Sequence, residues 1–241
     1  MSFKTEAFVL RARPWQKADR LYDLFTVQEG VLSAVLRSAA KPGNKLAGHL
    51  LPFSKVRVMI GRGRQDHLAG VATINDFSNL RSSLHNLSLA SAIAELLLKD
   101  QSRGYKVKEF MLLEEVLTLL DSPEISLDKK FVLVRTWLWK YLSLAGWQPQ
   151  LDACLICSQN IRAGKYVSGR GIICKDHDNS GTEVSGELIA WLKFISQADW
   201  HELVNKDINK NLNKEWLKIS SLFYQAVYDK PSQALKLLAY G

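Results

Sequence analysis

Over roughly the first third of the chain, hydrophobic and polar residues alternate with a period near two. Residues 3–13 alternate loosely until Pro14 closes the run. In residues 20–26, Leu21, Asp23 and Phe25 share one face while Tyr22 and Leu24 share the other. Gln28-Glu-Gly30 reads as a tight turn into residues 31–36, and a polar stretch with Pro42 and Gly43 follows over 37–48. Residues 55–60 alternate most regularly, with Val56, Val58 and Ile60 facing in and Lys55 and Arg57 facing out. Gly61-Arg-Gly-Arg64 is a turn, and residues 67–74 return as a fifth strand. Short strands with this turn chemistry predict a small closed or partly open barrel. An SH3-like barrel fits too, and periodicity does not separate the two.

From about Leu80 the period changes. Leu84, Leu87, Ala90, Ala94, Leu97 and Leu98 recur at helical spacing, as do Val107, Phe110, Leu113, Val116, Leu117 and Leu120. Ser126 is placed to cap a third helix that ends at Gly146 and Pro149, with Trp137, Leu138, Tyr141 and Leu144 as a broad apolar stripe. Helical patterns resume over 186–197, 214–228 and 232–239. Between them, residues 151–181 lose the pattern and gather Gly, Ser, Asn and all three cysteines. The expected fold class is therefore α+β and multidomain: a barrel over 1–79, and a helical body over 80–241 interrupted by an insert at 151–181.

Charge sharpens this division. The net charge is +8, and residues 1–80 carry 12 Lys/Arg against 6 Asp/Glu while residues 81–241 carry 20 against 18. The positive field thus sits on the barrel, where it attracts polyanions, chiefly nucleic acid or an anionic membrane surface. No run reaches the roughly 18 apolar residues of a membrane span, and charges break the first fifteen positions, so no signal peptide is expected there. The expected location is cytoplasmic, at the nucleoid.

The cysteines add chemistry. Cys154, Cys157, Cys174 and His177 form C-x2-C, sixteen intervening residues, then C-x2-H. A two-residue gap lets one turn offer two ligands to a tetrahedral ion, and thiolate with imidazole suits zinc. A disulfide reading is weaker, because three cysteines cannot all pair and a cytosolic setting disfavours the bond. Four protein ligands leave no open position, so such a zinc is structural. No phosphate loop, dinucleotide fingerprint, H-E-x-x-H or G-x-S-x-G occurs, and Glu114 and Glu115, adjacent in a helical pattern, face different directions. The chain is not expected to be an enzyme.

Three stretches carry a resemblance. The run Ala7-Phe-Val-Leu-Arg-Ala-Arg-Pro-Trp15 with Asp19-Arg-Leu-Tyr-Asp-Leu-Phe-Thr26, then Leu46-Ala-Gly-His-Leu-Leu-Pro-Phe53, and most specifically Ala145-Gly-Trp-Gln-Pro-Gln-Leu-Asp-Ala-Cys-Leu-Ile-Cys157, together resemble the RecO family of bacterial DNA repair and recombination proteins. The resemblance implies an OB-fold barrel, a helical body and a zinc knuckle that some members keep. It also implies binding and annealing of single- and double-stranded DNA, contact with the C-terminal tail of the single-strand-binding protein and with RecR, and help in loading RecA. Members commonly show a second C-x2-C where this chain has Cys174-Lys-Asp-His177, and a Gly-Ala-Arg-like turn where it has Arg37-Ser-Ala-Ala-Lys41.

On this reading Arg13, Lys17, Arg37, Lys41, Lys45, Arg62 and Arg64 neutralise phosphates along the barrel. Trp15 is an aromatic for base stacking, whereas Tyr22 suits the barrel core. Lys129, Lys130 and Arg135, beside the stripe of Trp137 and Leu138, are the expected cations for the acidic tail peptide. Two rivals remain: a zinc-containing nucleic-acid-binding factor of transcription or translation, and a nuclease with a structural zinc.

Overall fold

A computed structural model describes residues 1–100, 102–177 and 181–229. Five strands, β1 (Ser2–Pro14), β2 (Arg20–Thr26), β3 (Gly30–Leu36), β4 (Lys55–Gly61) and β5 (His67–Asn75), close a barrel in the order β1-β2-β3-β5-β4. Closure depends on the length of β1. Its first half pairs antiparallel with β4 from Ser2↔Gly61 to Phe8↔Lys55, and its second half pairs with β2 from Ala7↔Thr26 to Pro14↔Arg20. The register slips between Val9 and Arg11, a bulge that bends the strand between its two partners. A short parallel contact at Val35↔His67 completes the ring. This five-stranded closed order is OB-like, which resolves the ambiguity that strand periodicity left.

Alternation sorts the side chains as predicted. Ala7, Val9, Tyr22, Leu24, Leu32, Val56, Val58 and Ile60 fill the barrel interior. The other face of β1 and β2 is also buried, at Phe8, Leu10, Leu21, Asp23 and Phe25. Three helices follow: α1 (Ser78–Ser82), α2 (Leu84–Lys99) and α3 (Val107–Asp121). Phe110 of α3 meets Phe8 with ring centroids 4.7 Å apart and Phe25 at 6.2 Å, while Phe77 reaches Phe8 at 6.3 Å. Lys55 Nζ, 2.8 Å from a Glu114 carboxylate oxygen, adds a polar tie between β4 and α3. Asp23 is the exception on this apolar face. Its carboxylate accepts hydrogen bonds from Ser33 Oγ, Arg11 Nε and Arg13 Nη2.

The chain packs as two units, Met1–Glu124 and Ile125–Gly241. Strand gives way to helix near residue 79, but the first three helices pack with the barrel. The second unit holds α4 (Leu127–Leu144), a three-stranded sheet in the order β7-β6-β8 (β6 Gly164–Val167, β7 Gly171–Ile173, β8 Thr182–Val184), then α5 (Gly186–Gln197), α6 (Trp200–Asn205) and α7 (Lys210–Tyr228). Ser126 caps α4 by accepting from Lys129 N, as its position before the apolar run predicts. Trp139 Nε1 donates to Ser220 Oγ at 2.8 Å, and Trp191 meets Trp216 edge-on at 5.6 Å.

One element and the first turn of another escape the hydrophobic pattern although capping signals mark them. Asp199 and Glu202 form a capping box that starts α6, and Asn209 caps α7, which begins four residues ahead of the start expected at 214. The insert, where the hydrophobic pattern fails, forms β6 and β7, and β8 pairs with β6 directly after it. The helical run expected at 232–239 lies outside the described residues. No helix among the described residues is long and apolar enough to cross a membrane.

Two outcomes follow from this packing. Phe110→Ala should destabilise the first unit by about 3–5 kcal/mol, the usual cost of emptying a buried aromatic site, read from urea unfolding. A loss under about 1 kcal/mol would mean that the Phe8–Phe25–Phe110 contact is not a core. The second concerns acid. Burial alone would raise the Asp23 pKa, but the bonds from Ser33, Arg11 and Arg13 outweigh it and hold the carboxyl below the usual aspartate range. A depressed folded pKa stabilises fully above the unfolded value, about 3.9, and the benefit fades as pH falls through the folded one. Asp23→Asn should therefore lower stability at pH 7, and the gap from the unchanged protein should narrow towards pH 3. An equal gap at both pH values would contradict this.

Candidate nucleic-acid interface and metal centre

Three loops meet at one end of the barrel, and backbone hydrogen bonds hold them there. In the β1–β2 turn, Trp15 N donates to Asp19 O and Asp19 N to Gln16 O, with Lys17 in the left-handed region at φ 52. The segment after β3 is fastened to this turn, because Ala40 N donates to Ala18 O and Ser38 N to Asp19 Oδ1 at 2.7 Å. The β4–β5 turn is fastened to β3 where Val35 N donates to Asp66 O at 2.9 Å. The His67 ring lies so close to Gly61 that a Cβ there would sit 2.3 Å from it, so a larger residue would have to displace the ring.

Between these loops lies an open cleft of about 540 Å³ lined by Trp15, Gln16, Asp19, Arg37, Arg64 and His67, with Val35 and Gln65. Trp15 keeps 39% of its surface exposed, and Arg37 and Arg64 are exposed too. An exposed aromatic beside two guanidiniums offers a face for stacking and charge for phosphate. The loops after the first and fourth strands are the ones through which OB-folds take oligonucleotides.

The other expected barrel cations are placed differently. Arg62 is bound to Glu29 and Asp66 and lies over the Phe3 ring at 4.5 Å, so its charge is already matched. Arg13 shares Asp23 with Arg11. Lys17, Lys41 and Lys45 are exposed on the neighbouring loops but do not line the cleft. Tyr22 is in the barrel core.

The cationic surface expected at Lys129, Lys130 and Arg135 needs correction. Arg135 is 1% exposed, donates to Asn213 O at 3.2 Å and stacks over Trp216 at 4.7 Å. Burial pulls its pKa down to about 10. Lys130 is 5% exposed, and Lys129 Nζ is held by Lys206 O and Asp207. The reason is that α4 is buried on more than one side, so helical periodicity could not mark an open face. A different cleft in this unit, about 680 Å³, is lined by Trp191, Phe194, Ile208 and Leu212 together with Lys206 and the acids Glu187 and Asp207. It joins α5 to the segment before α7, elements that lie apart in sequence.

In the insert, Cys154, Cys157, Cys174 and His177 converge, with one ligand atom from each and all within 4.8 Å of one another. Cys154 N donates to Gln159 O and Ser158 N to Cys154 O, which folds residues 154–158 into a knuckle. Ser158 takes φ 59 there, a left-handed position that usually favours glycine. Cys157 Sγ and Cys174 Sγ are 4.0 Å apart, and His177 presents Nδ1 2.9 Å from Cys174 Sγ. Tetrahedral bonds of about 2.3 Å would set sulfurs roughly 3.8 Å apart, so the donor set fits a zinc-sized ion. Burial opposes ionisation of the Cys154 thiol, but the amides of Cys157, Cys174 and Ile156 outweigh it and lower its pKa to about 6. The Asp176 amide favours the Cys174 thiolate, whereas burial and the sulfurs of Cys154 and Cys157 push that pKa up. A cation among the four would relieve this mutual repulsion.

Comparison with known proteins covers both units. The family model for the recombination protein O N terminus matches residues 1–79, and that for its C terminus matches residues 81–236. The chain is 30% identical over 223 residues to a protein of Dehalococcoides mccartyi, covering 88% of this chain and 85% of that one. It is 28% identical over 221 residues to one of Desulforamulus reducens, covering 88% and 84%. A protein of Clostridium kluyveri is 24% identical over 241 residues, covering 98% and 93%. All three are named DNA repair protein RecO. With an OB-like barrel, a helical body and family models that match nearly its whole length, the chain belongs to the RecO family.

Proposed function

We propose that this protein is a non-enzymatic mediator of DNA repair and recombination that binds and anneals DNA. With RecR it would help load RecA onto strands coated by the single-strand-binding protein, in the cytoplasm at the nucleoid. The observation that carries the DNA reading is the convergence of Trp15, Arg37 and Arg64 on one cleft at the loop end of the barrel. Guanidiniums supply phosphate contacts that read no sequence, and the indole supplies a platform that accepts any base. Annealing requires this combination, because the protein must hold strands of arbitrary sequence and leave their pairing edges free.

Zinc at Cys154, Cys157, Cys174 and His177 is proposed as structural. Four protein donors complete a tetrahedron and leave no position for a reacting water. When bound, the ion would neutralise the thiolates and cross-link the knuckle to the loop after β7. The tail of the single-strand-binding protein is assigned to the cleft of Trp191, Phe194, Ile208 and Leu212. Those side chains offer an apolar seat for the terminus, and Lys206 offers a charge for its carboxylates beside Glu187 and Asp207, which are engaged by Asn209 and Lys129.

The roles of the cleft residues can be separated by salt. Arg37→Gln with Arg64→Gln should flatten the slope of log affinity for single strands against log salt by about 1.4, from about 0.7 per phosphate contact. Trp15→Ala should cost about 1–3 kcal/mol of affinity and leave that slope unchanged. A slope insensitive to both arginines would remove the cleft from the DNA path. Binding without strand annealing by the unchanged protein would instead favour a nucleic-acid-binding factor of transcription or translation. For the metal, purified protein should carry about one zinc per chain by atomic absorption. Cys154→Ser should lose it and lower the melting temperature, and a zinc-free protein of full stability would overturn the assignment.

A further inference from the structure

α7 presents a row of cations to solvent. Lys210, Lys214 and Lys218 recur every fourth residue, and all three are exposed. That spacing sets them along one side of the helix, roughly 6 Å apart along its axis. Among the described residues none of the three takes part in an ion pair, whereas the nearby acids are engaged. Glu215 accepts from Ser185 N and Oγ, Asp207 pairs with Lys129, and Glu187 accepts from Asn209 Nδ2.

The row leads to the metal-binding insert. Four-residue steps beyond Lys218 reach Leu222 and Ala226, and the β6–β7 turn rests there. Ser168 Oγ donates to Leu222 O at 2.7 Å, and a Cβ on Gly169 would come within 2.8 Å of Ala226 Cβ. Gly169 therefore both turns the chain, at φ 72, and lets it approach the helix. Arg170, exposed, is the next residue of that turn and brings a fourth cation to the end of the row.

Helix stability does not account for the lysines. The first turn of α7 contains Lys210 and no acidic residue, which sets a positive charge at the positive end of the helix dipole. Like charges four residues apart repel as well. A row of exposed cations without ion pairs among the described residues is open to a polyanion. The flanking exposed residues Asn211 and Ser221 are polar. The row therefore lacks the apolar anchors by which an acidic peptide or a lipid surface would be held.

We propose that Lys210, Lys214, Lys218 and Arg170 form a second track for a single-stranded phosphodiester backbone, separate from the barrel cleft. Resting on the DNA-binding reading above, this would let one chain hold two strands at once, one on each unit. The metal site would contribute indirectly by fixing the turn that carries Arg170.

The test uses the full chain with Lys210→Gln, Lys214→Gln and Lys218→Gln together. The variant should melt no lower than the unchanged protein, since only repulsion is removed. A short oligothymidine should bind it within about twofold of normal, because the cleft contacts are untouched. Annealing of long complementary strands should slow by about tenfold or more near 0.1 M salt, the effect of losing some three phosphate contacts. Replacing the same lysines by Arg should preserve annealing. Unchanged annealing by the Gln variant, or oligomer binding lost in parallel, would overturn the second track alone. An unchanged protein that binds no single strands would overturn the DNA reading and this inference with it.

Discussion

The pairing of one long strand with two neighbours sets the geometry of the first unit. β1 hydrogen-bonds to β4 through its first half and to β2 through its second, so the barrel closes around it. Once it is closed, the turns after β1 and β4 and the segment after β3 emerge at the same end. There the Asp19 carboxylate accepts from Ser38 N, and the Asp66 carbonyl accepts from Val35 N, which fastens both turns to β3 and the segment after it. The cleft of Trp15, Arg37 and Arg64 is a consequence of that fastening. Its side chains come from positions up to 49 residues apart, and no local rule would assemble them.

Charge in this protein divides into what is matched and what is left open. Arg11, Arg13, Lys55 and Arg62 stabilise the fold by pairing with Asp23, Glu6, Glu114, Glu29 and Asp66. Arg37 and Arg64, and in the second unit the lysines of α7, are exposed instead. Net charge therefore overstates how much of the positive field is available to a partner, since an ion-paired cation has already lost much of its pull on phosphate. The insert follows similar logic at short range. Its thiols are brought close enough to repel one another when ionised, and backbone amides favour one thiolate over its neighbours.

Packing against aromatic rings does in the second unit what strand pairing does in the first. Trp137, Trp139, Trp191 and Trp216 lie in its interior, and Arg135 is drawn in with them through the Trp216 face and the Asn213 carbonyl. A guanidinium accepts such burial because its flat faces are weakly hydrated and its edge donors can find carbonyl oxygens. Arg135 is thus part of the core, and Lys206 and the α7 lysines are among the cations this unit leaves exposed.

The sequence by itself determined every element whose signal is local. Alternation located the five barrel strands, helical periodicity located most of α2, α3, α4 and α5, and Ser126 marked the start of α4. The C-x2-C and C-x2-H pairs named the metal-ligand set before any geometry was known, because paired ligands must share one turn. Capping residues Asp199 and Asn209 held legible signals for α6 and for the first turn of α7 that hydrophobic pattern alone passes over. The tertiary structure decided whatever depends on which surfaces meet. It made the barrel OB-like, buried both faces of β2, placed Arg135 inside, matched Arg62 with two acids and left Arg64 open. It also laid the β6–β7 turn on α7. The reason is physical: periodicity reports which side of an element is apolar, whereas exposure and ion pairing depend on neighbours brought together from distant parts of the chain.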